Sequence, residues 1–122
     1  MLSELADVEA VIRYRATLLE MDAVRARGGK NAETWNRLVN QQQAIHLTLR
    51  ETPEGRQAIT NLIGDENRTV RMWSAVNALA WEPEIAKAAL EALAADGSFD
   101  AEITLREFGR GKLKTDWVPT GR

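Results

Sequence analysis

Apolar side chains recur along this chain at three- and four-residue intervals, the spacing of one helix face. Nowhere do apolar and polar positions alternate long enough to make a strand. The densest stretch is Val70-Arg71-Met72-Trp73-Ser74-Ala75-Val76-Asn77-Ala78-Leu79-Ala80-Trp81. At about 100° per residue its apolar side chains cover almost the whole circumference, leaving Arg71, Ser74 and Asn77 as the only polar positions. A helix apolar on every side must be covered on several sides. The pattern therefore predicts a central helix over 70–81 with the other segments wrapped around it.

Upstream, Ser3 is a natural N-cap, and Leu5, Val8, Ile12 and Leu19 form a stripe that Val11 and Leu18 widen, with Arg13, Glu20, Asp22 and Arg25 turned to water. Gly28-Gly29 ends this first helix. Asn31 caps the next, in which Trp35, Leu38, Val39, Gln42, Ile45 and Leu49 share one side, and the short connection predicts an antiparallel hairpin. Within it, Gln41-Gln42-Gln43 reads as a solvated face with Gln42 turned partly inward. Thr52-Pro53 pairs an N-cap with a proline at the first helical position, Ile59, Leu62 and Ile63 make the buried edge, and Gly64 stops the helix. Pro83 closes the central helix and opens a fifth, marked by Ile85, Ala89, Leu90 and Leu93, which Asp96-Gly97 terminates. Ser98 or Asp100 starts a sixth through Ala101, Leu105 and Phe108, broken at Gly109-Arg110-Gly111.

The expectation is an all-α chain of about six helices stacked as antiparallel hairpins. One helical domain covers 1–111, with an N-terminal hairpin over 1–51 and further hairpins over 52–111. A basic tail over 112–122 has no period and offers Trp117 as its anchor.

Composition adds limits. At 122 residues, 44% hydrophobic and 28% charged, the chain has the size and balance of one ordinary folded domain. It contains no cysteine, which excludes disulfides, thiol nucleophiles and thiolate zinc sites. Charges interrupt every apolar run before the roughly 18 residues a membrane span needs. Met1-Leu2-Ser3-Glu4 is acidic where a signal peptide is basic, so a cytoplasmic protein is expected. The net charge of −2 is unevenly spread. Residues 28–104 carry seven basic and eleven acidic side chains, residues 105–122 five and two, so an acidic body ends in a basic tail.

A shift of 31 residues aligns Ile59 with Leu90, Leu62 with Leu93, Asp65 with Asp96 and Val70 with Ala101. Each unit is a helix, an acidic turn and a second helix, the layout of a helical-hairpin repeat. Leu62-Ile63-Gly64-Asp65-Glu66-Asn67-Arg68-Thr69-Val70-Arg71, with Ser74-Ala75 and Ala78-Leu79, resembles the turn and second helix of a HEAT-type repeat, apart from one extra residue before the Ala-Leu pair and serine in place of an alanine. The span from about Leu62 to Leu113, including Leu105-Arg106-Glu107-Phe108-Gly109-Arg110-Gly111-Lys112-Leu113, is similar to small bacterial HEAT-like proteins grouped as a domain of unknown function (number 2019). The resemblance implies a right-handed HEAT-like array and supplies no activity; in HEAT repeats the valine packs inward and the arginine beside it braces the turn acids.

Few residues invite chemistry. His46, the one histidine, has no cysteine or serine partner at motif spacing and no second histidine for a metal, and reads as a structural or surface imidazole. Asp65-Glu66 and Glu82/Glu84 sit in turns where the following helix dipole favours acids. Gly109-Arg110-Gly111-Lys112 lacks the spacing and strand context of a phosphate loop. Trp35 and Trp73 are expected in the core, as is Trp81, with Trp117 at the surface. Arg71 is expected to bridge to Asp65 or Glu66, or else to anchor a partner's carboxylate.

No cofactor, metal or catalytic set is therefore expected. The function predicted is a non-enzymatic protein-binding module, an immunity protein or antitoxin that binds and inhibits a toxin domain, with Arg68, Arg71, Trp81, Arg106 and Arg110 as candidate contacts and an acidic body that suits a basic partner. The alternative is a nucleic-acid-associated HEAT-like protein, disfavoured by net charge, which needs Arg68, Arg71, Arg106, Arg110, Lys112 and Lys114 on one face. The stripe of Leu5, Val8, Ile12 and Leu19 also fits a homodimer through the first hairpin.

Overall fold

The computed structural model describes residues 2–29 and 31–119, with side chains from Asp7 onward. The helices are α1 (Leu2–Arg27), α2 (Ala32–Leu49), α3 (Pro53–Asn61), α4 (Arg68–Ala78), α5 (Pro83–Ala95) and α6 (Phe99–Gly109), with a 3₁₀ turn at Leu62–Gly64. Among the described residues there is no strand, so the fold is all-α as expected. The chain divides into two compact units: residues up to Ala58 together with the chain end from Trp117, and Ile59–Asp116.

In the first unit α1 and α2 pack as a hairpin across Gly28 and Gly29, whose positive φ angles of 66° and 80° turn the chain back in a conformation costly for other residues. The buried face of α1 is Tyr14, Thr17, Leu18, Met21 and Val24, and α2 meets it with Leu38, Ile45 and Leu49. This corrects the expected stripe: Val8 is 57% and Ile12 64% exposed, and Leu19 is half-buried. The helix carries two apolar stripes, and the one containing an aromatic hydroxyl and a threonine is the one that packs. Helix α1 is helical from Leu2, so Ser3 lies inside it rather than capping it; its side chain and that of Leu5 fall outside the described residues.

Helix α2 departs further from expectation. Gln42 is buried, further inward than the partial turn expected, and Gln43 is buried where a solvated face was expected; each finds a partner: Gln42 Nε2 donates to the Val39 carbonyl and Gln43 Nε2 to the Trp117 carbonyl at 2.8 Å. Half-buried Gln41 donates to Thr17 Oγ1 at 2.9 Å across the hairpin. Asn31 makes no side-chain cap; its amide donates instead to the Gly28 carbonyl. Thr52 does cap α3, its Oγ1 accepting from Gly55 N at 2.9 Å and donating to Asp7 Oδ2 at 3.2 Å.

The second unit is organised by α4, as its pattern predicts. From Thr69 to Leu79 no residue is exposed, and Val70, Ser74, Ala75 and Ala78 are wholly buried. The helix runs over 68–78 rather than 70–81, because the Pro83 ring collides with a helical carbonyl four residues back and forces the chain into turns from Leu79 to Trp81. Helix α5 buries Ala86, Leu90 and Leu93 but leaves Ile85, expected inside, 52% exposed. Helix α6 buries Ala101 and half-buries Leu105 and Phe108.

The 31-residue echo extends to backbone detail. Helices α4 and α6 each have 11 residues, and 68–78 shifted by 31 is 99–109. Their caps shift alike: Asn67 Oδ1 accepts from Val70 N at 3.0 Å, and Ser98 Oγ from Ala101 N at 3.2 Å. The aligned residues Ile59 and Leu90, and Val70 and Ala101, all have no exposed surface.

Candidate protein-docking surface

In the second unit a groove of about 380 Å³ is lined by Ile63, Arg71, Ala89, Ala92, Leu93 and Asp96. The alanine-rich sequence of α5 makes its floor, because methyl side chains leave depth where longer ones would fill it. Asn67 caps α4, and Asp65 Oδ2 accepts from Asn67 N at 2.9 Å, which fixes the acidic turn. One helical turn on, the half-buried Arg71 reaches back. Its Nη1 donates to the carbonyls of Asp65 and Glu66, both at 3.0 Å. The expected brace of the turn is therefore present, but to backbone oxygens rather than to carboxylates.

These two bonds use one nitrogen of the guanidinium and fix its plane. Nε and Nη2 carry three more N–H donors, for which no partner is found among the described residues. Arg68, exposed on the same turn, pairs with Asp96 at 3.2 Å and also donates to the Asp96 carbonyl at 3.2 Å. Arg68 is thus matched by an acid, whereas Arg71 is a held cation bordered by apolar surface. Such a group suits a planar carboxylate taken bidentately.

The other candidates are not gathered there. Trp81 is half-buried and donates from Nε1 to Thr60 Oγ1 at 3.0 Å. Arg106 and Arg110 are exposed at the end of α6, with Lys112 and Lys114 exposed beyond it. Within the basic face needed for nucleic acid, Arg68 is matched by Asp96. No family model, no curated protein and no solved structure matches this chain. The surface itself carries the functional argument.

In the first unit a second groove, about 430 Å³, lies between α1 and α3 and is lined by Asp7, Val8, Val11, Ile12, Glu54 and Ala58. Its walls are apolar and its rim holds two carboxylates. The sequence pointed to Val8 and Ile12, as core or as a stripe for a homodimer; Glu54 and Ala58 carried no signal because their meeting with α1 depends on the turn at Thr52.

His46 lies in neither groove. It is fully buried, with Nδ1 3.1 Å from Gln43 Oε1 and Nε2 3.3 Å from Arg50 Nη1. Arginine only donates, so Nε2 accepts and Nδ1 carries the proton given to Gln43. Burial, with the Arg50 charge second, lowers its pKa from 6.5 to about 4 and keeps the ring neutral at pH 7. Among the described residues no three His, Asp or Glu side chains are grouped as metal ligands, and no helix is long and apolar enough to cross a membrane. Trp35 and Trp73, expected in the core, are half-buried; Arg25 covers one face of Trp35 with its guanidinium carbon 5.7 Å from the ring centroid.

Proposed function

We propose that this chain is a non-enzymatic protein-binding module and, more narrowly, a bacterial immunity protein or antitoxin that inhibits a toxin domain by covering it. The observation that carries the reading is Arg71: a guanidinium braced by two carbonyls, three donors to spare, beside a shallow floor of alanines. A partner's Asp or Glu seats on those donors while an adjoining small apolar side chain enters over Ala89 and Ala92. Preorganisation of this kind lowers the entropic cost of binding, and arginine beside apolar surface is a frequent interface hot spot. The HEAT-like resemblance supports the same class, since stacked hairpins work through their faces.

The test is affinity capture from the source bacterium followed by titration of the recovered partner. Ala92 is exposed, so Ala92→Arg obstructs the groove without disturbing the core. Arg71→Lys keeps the charge and loses the fork. Each is expected to weaken the complex by about tenfold or more while thermal melting stays near wild type. Failure to recover any protein at stoichiometric amounts, or a complex indifferent to both substitutions, would overturn the proposal.

A further inference from the structure

Helix α1 leaves an apolar face uncovered at Val8, Ile12 and Ala16, and its sequence has a symmetry that identifies an occupant. Ile12 and Val8 are more than half exposed, Ala16 is exposed and Leu19 half-buried. About Ile12 the stripe reads the same in both directions: four residues away stand Val8 and Ala16, and seven away Leu5 and Leu19. A stripe with that property matches itself when a second helix runs antiparallel across it.

The charges follow the same rule. On one flank Glu9 and Arg13, both exposed, lie roughly 60° and 100° around the helix from Ile12. A two-fold axis at Ile12 brings Glu9 to within about 3 Å, along the axis, of the second copy's Arg13. On the other flank the second copy's Arg15 falls level with the acid-rimmed groove of Asp7, Val8, Val11 and Glu54. Acidic side chains outnumber basic ones before residue 10 of α1, and arginines follow at 13 and 15, so antiparallel pairing sets unlike charges together and parallel pairing like charges.

We infer that the exposed face of α1 is a self-association surface on which a second copy of this chain pairs antiparallel about Ile12. The inference uses the first unit only and stands or falls separately from the reading of Arg71.

Sedimentation equilibrium of the full chain, from low micromolar to near-millimolar loading, tests it. Wild type is expected to pass from monomer to dimer, with no larger species because a two-fold interface closes. Ile12→Glu, at a site outside the core, is expected to remain monomeric with unchanged melting. Glu9→Arg and Arg13→Glu, each breaking two symmetry-related pairs, are each expected to weaken the dimer by about tenfold, and the doubly reversed chain to recover it. A wild type that stays monomeric throughout, a dimer that survives Ile12→Glu, or charge reversals that do not compensate would each overturn the proposal.

Discussion

Gly55 stands where the start of α3 touches the end of α2, and a methyl group built on it would lie 1.9 Å from the Leu49 carbonyl oxygen. That oxygen is backbone and accepts from Thr52 N, so it has little freedom to withdraw. Gly55→Ala should cost about 3 kcal/mol in urea denaturation despite alanine's better helix propensity. Ser74 is the opposite case. Its Oγ is fully buried with no hydrogen-bond partner among the described residues. Removing a buried unsatisfied hydroxyl while leaving its neighbours undisturbed should stabilise, so Ser74→Ala is expected to gain about 1 kcal/mol, with a matching rise in melting temperature. The serine was visible in sequence as one of three polar positions, with Arg71 and Asn77, on an otherwise apolar helix. Gly55 was not, because the close approach that demands glycine exists only once α2 and α3 meet.

At the scale of elements, local signals were legible and face choices were less so. Thr52-Pro53 and Ser98 mark helix starts by chemistry contained within a few residues, and the structure uses both, whereas Ser3 and Asn31, of the same residue types, do not cap their helices. The buried face of α1 shares only Leu18 with the described part of the expected stripe, because Val8, Ile12 and Leu19 make as regular a stripe as Tyr14, Met21 and Val24, and periodicity alone does not rank two stripes. In α2 the buried face is polar: Gln42, Gln43 and His46 are covered, and a glutamine's composition does not reveal that its amide will find partners. This seam has a measurable signature. Unfolded, His46 takes up a proton near pH 6.5; folded, it resists protonation until about pH 4. The unfolded state therefore binds more protons between those values, and stability present above pH 6.5 falls as pH drops toward 4, by about 3 kcal/mol in total. Denaturant titrations at several pH values should show that slope in wild type and a shallower one in His46→Gln, which cannot titrate.

On the scale of the molecule, the feature hardest to read in advance is the return of the chain end. Nothing local connects Gln43 with Trp117, 74 positions away, yet the side-chain amide of the first donates to the carbonyl of the second. The link prolongs a series in which Arg50 donates to His46, His46 to Gln43, and Gln43 to the tail. The sequence offers Trp117 as the tail's anchor, and the group that bonds is its backbone carbonyl, while the residue as a whole is 37% exposed. The distinction yields opposite expectations for two variants. Trp117→Ala keeps the carbonyl and should preserve the contact, with a modest loss from trimming a partly exposed ring. Removal of residues 117–122 deletes the acceptor and leaves a buried Gln43 amide without it, which should cost about 1–3 kcal/mol. Amide exchange locates the effect: protection in α2 around Gln43 to Leu49 is expected to fall in the truncated chain, while α4, within the other unit, keeps its wild-type protection. Water admitted beside His46 would also raise its pKa toward 6.5 and flatten the acid-side decline in stability. If Trp117→Ala and the truncation behaved alike on all three readouts, the ring and not the hydrogen-bonded series would be what ties the tail to α2.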